Sequence, residues 1–393
     1  MLFVYIVALS TSFLGSLISR NKCLGLFTGF LMLILASSMQ VGYDTENYIK
    51  SFDTIARGTN LLVVSIADAS MMYFMTVESF QDFGIQDFFL FKFLILLISS
   101  FFVLRTINKF VSNWCLLFFL YLIGVFFDDA MQLRNTISLA LLVCSFYYLY
   151  SNDRGSTLKY GLIIFLASLY HVTFLAYFLF LLAKSNKVKS IKCLFFVGLI
   201  LYVFTFLKGD FFFISALQSM FGGDKIQLYL ENDATQYGSL YVLVFYFAEY
   251  LIVKYCDLEI QKLDVRRDGS LYDMKRFSSI ILGIITIMAI SLPFCVLSLS
   301  AMRLLRNITI FILFEVVLFA SIPVSRKKKY LIVTSTVFTK NHKIKHSKKY
   351  LIVTSTVFTM LYFMIFSNFI TGPPEDIIFS IFNGDASWMK QYF

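Results

Sequence analysis

The sequence predicts an all-α, polytopic transmembrane helical protein with about ten spans and one half-membrane hairpin over residues 160–183. Of the 393 residues, 59% are hydrophobic and 15% are charged, whereas soluble domains are about 45–50% apolar and 25% charged. Apolar stretches of about 17 to 25 residues recur along the chain, each long enough to cross a hydrocarbon core as a helix. Positive charges cluster in the short connections between these stretches, as topology determinants do.

The order of the apolar stretches gives the expected spans. They lie at about residues 2–19, 23–39, 86–104, 114–128, 131–150, 193–208, 239–256, 277–299, 306–324 and 350–370. The first stretch lacks a basic start and an A-x-A-like exit, which favours a retained span over a cleaved signal peptide. We therefore expect residues 1–393 to form a single integral membrane domain.

Basic residues predict the orientation of the chain. Six connections between the apolar stretches hold 25 of the 34 Lys and Arg residues but only 6 of the 24 acidic residues. By the positive-inside rule these connections lie in the cytoplasm, which places both termini outside. The predicted external segments are about 40–85, 128–133, 209–238, 300–306 and 371–393.

The apolar stretch 160–183 has basic residues at both ends, so a single crossing would break the charge rule. A hairpin of two half-length helices keeps both ends inside and places Tyr170, His171 and Thr173 at its buried tip, where protein or water must surround the irregular backbone. The alternative is that residues 60–80 cross instead, which would move several basic residues outside. We prefer the hairpin and expect 60–80 to form an external interfacial helix.

The segment KKYLIVTSTVFT occurs at 328–339 and again, unchanged, at 348–359. Its apolar part is too short to span, but the second copy continues through an apolar run and can cross. Architectural repeats have several diverged copies at a regular period. We therefore interpret the pair as a recent in-frame duplication without a function of its own.

Several classes of function are not indicated. The net charge of +10 reflects cytoplasmic connections, so we expect no nucleic-acid partner. The sequence contains no Walker-type glycine loop, no GxSxG, no HExxH and no paired DxD. The six cysteines show neither CxxC nor metal-ligand spacing. We expect no cofactor and no metal site.

The external segment after the second span reads GYDTENY and contains Asp44, Glu46 and Tyr48. Carboxylates and tyrosines of this kind bind sugar hydroxyls, and a carboxylate can accept a proton from one. The alternative interpretation is an ordinary acidic outer loop.

Arg134, Arg303 and Arg306 are placed outside by this topology, where positive charge opposes the orientation rule and needs a reason. Arg303 and Arg306 are three residues apart, which puts them on one face of a helix. Guanidinium groups match phosphate oxygens bidentately, as a lipid-linked pyrophosphate would require. Each arginine alone could instead be an interfacial residue whose charge snorkels to water.

His171 is one of three histidines and lies in an apolar stretch. An ionisable group at a broken helix within the membrane is a candidate for function, although a lone histidine is commonly a hydrogen-bonded packing residue. Glu249 and Glu315 fall within spans and are likewise site candidates, or else partners of buried basic groups.

The order of these motifs resembles a known family. GYDTENY is followed by Arg134 at the start of a span, then by LASLYHVTFLAYF, and then by MRLLRN. This order is similar to that of the EpsG-like branch of Wzy-type polysaccharide and O-antigen polymerases. The family usually has Arg-Gln where this chain has Arg134-Asn135, and often a Tyr after the late Arg, where this chain is apolar.

The resemblance implies a metal-independent glycosyltransferase that uses a lipid-pyrophosphate donor. It would lie in the bacterial plasma (inner) membrane as a multi-pass protein, with its active site facing the periplasm or exterior. The implied partners are an undecaprenyl-pyrophosphate-linked oligosaccharide, the lipid bilayer and a chain-length regulator protein.

The resemblance also implies roles for the candidate residues. Arg134, Arg303 and Arg306 would stabilise charge on the leaving pyrophosphate. The candidate catalytic bases are Asp44, Glu46 and His171, and the candidate sugar-binding residues are Tyr48 and Asn135.

Two other functions compete with this one. A membrane sugar O-acyltransferase also combines a histidine with an R-x-x-R pair, but its histidine lies near the amino terminus, and the spans before residue 160 contain none. A lipid-linked oligosaccharide flippase or other transporter is expected to have two similar halves around a polar midplane cavity, and no such halves are visible in the sequence.

Overall fold

The computed structural model describes residues 1–18, 21–39, 43–56, 70–185, 187–208, 234–263, 269–297 and 299–322. These residues form α-helices and short 3-10 helices, and within these ranges no strand occurs. The polytopic helical fold class is thereby confirmed. Both copies of the duplicated segment and the predicted span 350–370 lie outside the described residues.

The described residues fall into two compact units, one formed by Met1–Phe178 with Ala320–Ile322 and the other by Leu179–Phe319. The helices of the first unit are Leu2–Leu17 (α1), Lys22–Ser38 (α2), Tyr43–Ala56 (α3), Met71–Asp82 (α4), Phe88–Phe110 (α5), Trp114–Leu122 (α6), Phe126–Met131 (α7), Leu133–Tyr150 (α8) and Ser156–Tyr170 (α9). A 3-10 helix, Val172–Phe180, follows α9.

The helices of the second unit are Leu181–Lys184 (α10), Val188–Lys208 (α11), Ala234–Gln261 (α12), Gly269–Ile287 (α13), Leu292–Leu297 (α14), Arg303–Arg306 (α15) and Thr309–Ser321 (α16). Two 3-10 turns, Met288–Ser291 and Leu299–Met302, lie on either side of α14.

Five helical segments of the described chain are long and apolar enough to cross a membrane: Phe88–Phe110, Val188–Leu207, Gly238–Gln261, Asp273–Leu297 and Arg303–Ser321. Shorter apolar helices add Leu2–Leu17, Lys22–Ser38, Ser156–Tyr170 and Val172–Lys184. The chain is therefore a helical membrane protein.

Side-chain caps fix the beginning of three apolar helices. Asn21, Asp87 and Asn113 each accept a hydrogen bond from the backbone N–H three residues later, at 3.1, 2.7 and 3.0 Å. A cap of this kind satisfies one of the N–H groups that a helix leaves unpaired at its start. The polar residue before each apolar run therefore sets where α2, α5 and α6 begin.

Two predicted spans are interrupted. The span expected at 114–128 divides into α6 and α7, and the span expected at 277–299 divides into α13 and α14 around the 3-10 turn Met288–Ser291. In the second case Pro293 lies in the first turn of α14, where its missing N–H costs nothing. The apolar pattern is continuous through both breaks, so hydropathy alone gave one helix in place of two.

The chain reverses direction at His171, as the hairpin prediction requires. His171 has an extended backbone and ends α9. The Tyr160 hydroxyl donates a hydrogen bond of 2.6 Å to the carbonyl of Tyr177, whereas in a continuous α-helix these residues would be about 25 Å apart along the axis. The two arms, α9 and the 3-10 helix Val172–Phe180, are each shorter than the hydrocarbon core of about 30 Å.

In the second unit, a glycine allows two backbones to approach closely. A Cβ on Gly198 of α11 would lie 2.4 Å from the carbonyl oxygen of Ala289, in the 3-10 turn between α13 and α14. Ala289 is fully buried. Only glycine fits at this crossing of α11 over the helix break, in the manner of the small residues that line helix interfaces in membranes.

Candidate active site

Arg134 is the centre of a polar and aromatic cluster in the first unit. It is the second residue of α8, and its Nη1 atom donates a hydrogen bond of 2.7 Å to Ser70 Oγ, just before α4. Its guanidinium carbon lies 5.4 Å from the centroid of the Tyr48 ring and 5.9 Å from that of Tyr73. These distances are typical of cation–π contacts. Two of the predicted site residues, Arg134 and Tyr48, are thus brought together.

Tyr48 and Tyr73 reach the arginine from α3 and α4, which pack against each other. Both side chains are buried, and their ring centroids are 5.6 Å apart. Phe52 lies one helical turn after Tyr48 and packs against Phe88 and Phe91 of α5. The apolar positions i and i+4 of the GYDTENY helix therefore attach it to the core and hold the Tyr48 ring against Arg134.

The Tyr73 hydroxyl group has no hydrogen-bond partner among the described residues, and the side chain is 1% exposed. Burial raises the pKa of Tyr73 well above its ordinary value, the neighbouring Tyr48 raises it further, and Arg134 lowers it. The phenol therefore stays protonated and can donate a hydrogen bond to an anionic or hydroxyl oxygen.

Lys92 is a buried cation that the sequence analysis did not identify. It lies in the second turn of α5, is 1% exposed, and donates a hydrogen bond of 3.0 Å to the carbonyl of Met39 at the end of α2. A lysine within a transmembrane segment is costly and is by default a candidate for function. The signal was present as a single lysine in the apolar run FFLFKFLILL.

The carboxylates proposed as bases have different surroundings. Glu46 is exposed on α3, whereas its neighbour Thr45 is 1% exposed. Asp44 lies in the first turn of the same helix, and its side chain is outside the described part of the structure. Glu46 thus lies on the helix that carries Tyr48, and its side chain is accessible to a hydroxyl group of a substrate.

The tip of the hairpin contacts the helix that carries Tyr73. Tyr170 is buried, and its hydroxyl is 2.9 Å from Thr76 Oγ1 on α4, one turn after Tyr73. His171 is half-buried, and its Nδ1 atom is 2.7 Å from Thr173 Oγ1. Tyr73 and Thr76 lie on the same side of α4. The arginine cluster and the tip of the hairpin, next to His171, therefore both contact this side of α4.

A hydrogen bond between α8 and α9 also brings the tip of the hairpin close to the helix that carries Arg134. Ser138, one helical turn after Arg134, donates a hydrogen bond of 2.9 Å to the carbonyl of Ala167. Ala167 lies in the last turn of α9, directly before the break at His171. The reversal is therefore fixed to the arginine-bearing helix as well as to α4.

A layer of buried polar residues surrounds the start of α8. Asp128 and Asp129 are 2% and 1% exposed, although the sequence places 128–133 in an external segment. Tyr121 donates a hydrogen bond of 2.6 Å to Asp129 Oδ2, and the Thr136 hydroxyl bonds to the Asp129 carbonyl. Asn135, predicted to bind sugar, is 1% exposed in this layer, a position that suits support of the site better than direct contact with a sugar.

The second unit holds the later arginines. Arg303 and Arg306 form the ends of the one-turn helix α15, where Arg303 is half-buried and Arg306 is 2% exposed. Glu249 is buried on α12, and its Oε1 atom accepts a hydrogen bond of 3.1 Å from Thr309, three residues after Arg306. Glu315 is fully buried and accepts a hydrogen bond from Ser278.

The surroundings of Arg134 suit an anion. Within the described ranges, no group of three or more His, Cys, Asp and Glu side chains could hold a metal ion. Arg134 is instead surrounded by a hydroxyl and two phenol rings. A guanidinium held in this way keeps a fixed direction from which to meet phosphate oxygens.

Compared with known protein families, residues 21–339 match the model of the EpsG family. No curated protein and no solved structure matches the chain. The match includes α2 to α16 of the described helices, and so both the Arg134 cluster and the Arg303–Arg306 helix.

Proposed function

The chain belongs to the EpsG family, and on this premise we propose that it polymerises lipid-linked oligosaccharide repeat units by glycosyl transfer outside the bacterial plasma membrane. Membership of the family supports a polysaccharide polymerase-like role in general. The proposal adds an undecaprenyl-pyrophosphate-linked donor, a periplasmic or exterior site and a mechanism without a metal.

The observation that carries the proposal is the placement of Arg134. The topology predicted from the sequence puts this cation on the outer side of the membrane. In the structure Arg134 lies against the GYDTENY helix, where Ser70 and the rings of Tyr48 and Tyr73 contact its guanidinium group. The planar guanidinium group of an arginine matches the oxygens of a phosphate, which could approach from the accessible side of α3.

In the proposed reaction, a sugar hydroxyl of the acceptor unit attacks the anomeric carbon of the donor sugar. The bond between that carbon and the pyrophosphate oxygen breaks, and the electron pair leaves with the lipid pyrophosphate. A new glycosidic bond forms, and the hydroxyl proton passes to a base, for which Asp44, Glu46 and His171 are the candidates.

Arg134 stabilises the charge that develops on the pyrophosphate, the type of contribution that is usually largest in catalysis. Arg303 and Arg306, which lie in the second unit, are also proposed to bind a lipid-linked pyrophosphate. Tyr73 supplies a protonated hydroxyl group beside Arg134.

The proposal is tested by mass analysis of lipid-linked glycans in a strain that lacks the protein, complemented with wild type or with Arg134→Ala. We expect single repeat units to accumulate on the outer leaflet in the deletion strain and with Arg134→Ala. The matched control is Arg154→Ala, since Arg154 is exposed before α9. Accumulation on the inner leaflet would instead indicate a flippase, and wild-type polymer with a properly inserted Arg134→Ala protein would rule out the arginine mechanism.

A further inference from the structure

A second basic site lies at the opposite end of the first unit. A cavity of about 280 Å³ opens between α5, α8 and α9. Arg105 and Lys109 line it from the last two turns of α5, and Tyr147 and Tyr148 line it from α8. Among the described residues that line the cavity, none is acidic. The proposed reaction makes no use of this cavity.

The two cations of the cavity share one helix face, and an aromatic ring holds one of them, Lys109. Arg105 and Lys109 are four residues apart on α5, so their side chains point to the same side. Lys109 Nζ lies 3.4 Å from the centroid of the Tyr147 ring, and Lys159 Nζ lies 5.7 Å from that of Tyr148. Two positive charges thus line the cavity, and a third, on Lys159, lies beside the Tyr148 ring of its wall. Each contact with a ring limits how far an ammonium group can move.

The other walls of the cavity are apolar and continue onto the exposed surface of the helices. Phe102 of α5 and Ile163 of α9 line the cavity. Beside them, Phe101, Leu162 and Phe165 are 66%, 59% and 54% exposed. In a membrane-spanning unit an exposed apolar strip of this kind faces acyl chains. A molecule in the cavity would therefore meet cations at one end and lipid at the other.

The position along the membrane normal follows from the same residues. Tyrosines are enriched where a helix passes from hydrocarbon to head groups, and Tyr147, Tyr148 and Tyr150 lie together at the end of α8. The basic connections 105–113 and 151–159 belong to the cytoplasmic side under the charge rule. The cytoplasmic leaflet carries anionic lipids, which basic pockets between helices recognise by their head groups.

We propose that the cavity between α5, α8 and α9 binds an anionic phospholipid of the cytoplasmic leaflet. Its phosphate lies between Arg105 and Lys109, and an acyl chain follows Phe102 and Ile163 along the outer surface. The site is separate from the proposed polymerase site, and its occupancy can be tested without an activity measurement.

The test uses the full-length protein in detergent, with phosphatidylglycerol or phosphatidylcholine added and lipid retention measured by native mass spectrometry. We expect phosphatidylglycerol to be retained and phosphatidylcholine not. In Arg105→Gln/Lys109→Gln the apparent affinity for phosphatidylglycerol should fall at least about tenfold. The matched control, Arg154→Gln/Lys187→Gln, removes the same two charges from exposed positions outside the cavity and should retain the lipid.

A second variant tests the apolar wall at constant charge. Ile163→Trp fills the cavity, so it should also lose phosphatidylglycerol while the wild-type net charge is kept. Equal loss in the control double variant would reduce the effect to general surface charge and overturn the proposal. Equal retention of the two lipids, or displacement by millimolar inorganic phosphate alone, would overturn it as well, because a soluble anion would then suffice.

Discussion

Arg134 illustrates why the type of cation matters at a single position. Its guanidinium donates a hydrogen bond to Ser70 and lies near two tyrosine rings. A lysine could keep the charge but not the planar group with its fixed set of N–H donors. We expect Arg134→Lys to impair polymerisation and Arg134→Ala to lower the rate on the order of a hundredfold, if the contact supplies about 3 kcal/mol in the transition state.

The measurement for Arg134 is the polymer-length distribution at equal protein levels in the membrane. Arg154→Lys serves as the control, since this exposed arginine has no place in the cluster. Full-length polymer from Arg134→Lys would show that charge alone suffices and that the planar group is not required.

Lys92 allows stability and function to be separated. A buried ion is expensive, and an apolar residue of similar volume often leaves stability unchanged or higher. We therefore expect Lys92→Met to leave the thermal unfolding midpoint nearly unchanged, despite the lost bond to Met39, while polymer formation falls. Lys50→Met, at an exposed position on α3, should change neither quantity. A large drop in the midpoint would mean instead that Lys92 chiefly holds the end of α2.

The sequence allowed part of the residue-scale picture to be predicted. Arg134 was identified because its charge opposed the topology, and Tyr48 because it lies in a polar motif at the membrane surface. Ser70 and Tyr73 were missed because their role depends on a contact that spans 64 residues of chain, from Ser70 to Arg134. No local pattern records such a contact.

At the scale of elements, the reversal at His171 was predicted from charge alone and confirmed by the contact between Tyr160 and Tyr177. The side of the membrane on which its ends lie can be tested with Thr157→Cys and Ser185→Cys, both at exposed positions, in a cysteine-free background. We expect membrane-impermeant thiol reagents added outside intact cells to label neither position. Labelling of Ser185→Cys alone from outside would mean that the segment crosses once.

Close helix packing gives a prediction for the second unit. Gly198→Ala would bring a methyl group into the backbone of Ala289, and such overpacking costs about 1–3 kcal/mol. We expect a lower thermal unfolding midpoint for this variant in detergent. Gly161→Ala is the control, because its Cβ would meet only a Phe178 ring carbon at 3.5 Å and alanine favours helix by up to about 1 kcal/mol. An unchanged midpoint for Gly198→Ala would contradict the close approach.

The helix breaks were beyond sequence analysis for a physical reason. Hydropathy reports only whether a segment prefers lipid, and neither 123–125 nor 288–291 contains a charged residue that would mark a break. At the second break the backbone of Ala289 lies close to Gly198, a residue distant in sequence, so no local pattern reports this contact. By contrast, the starts of α2, α5 and α6 follow from Asn21, Asp87 and Asn113, because a cap acts within one turn.

For the whole molecule, composition and charge distribution were sufficient to predict a multi-spanning helical membrane protein. The duplicated segment provides a test at this scale. Deletion of residues 328–347 should leave the polymer and the insertion of the chain intact, because residues 350–370 can still span and basic residues still flank them. Polymer length and membrane protein level are the measurements. Deletion of 350–369, which removes an expected span, should abolish insertion of the carboxyl terminus.

Loss of polymer at a normal protein level after deletion of 328–347 would show that the first copy has acquired a function.

The chain reversal at His171 constrains how the protein is made. Helix α9, with 15 residues, is too short to be released across the bilayer by itself as it leaves the ribosome. The Tyr160 hydroxyl of α9 donates its hydrogen bond to the Tyr177 carbonyl on the returning arm, so we expect α9 to leave the translocon only together with that arm. Both arms would then enter the lipid in one step, and the basic residues at the two ends would never have to cross.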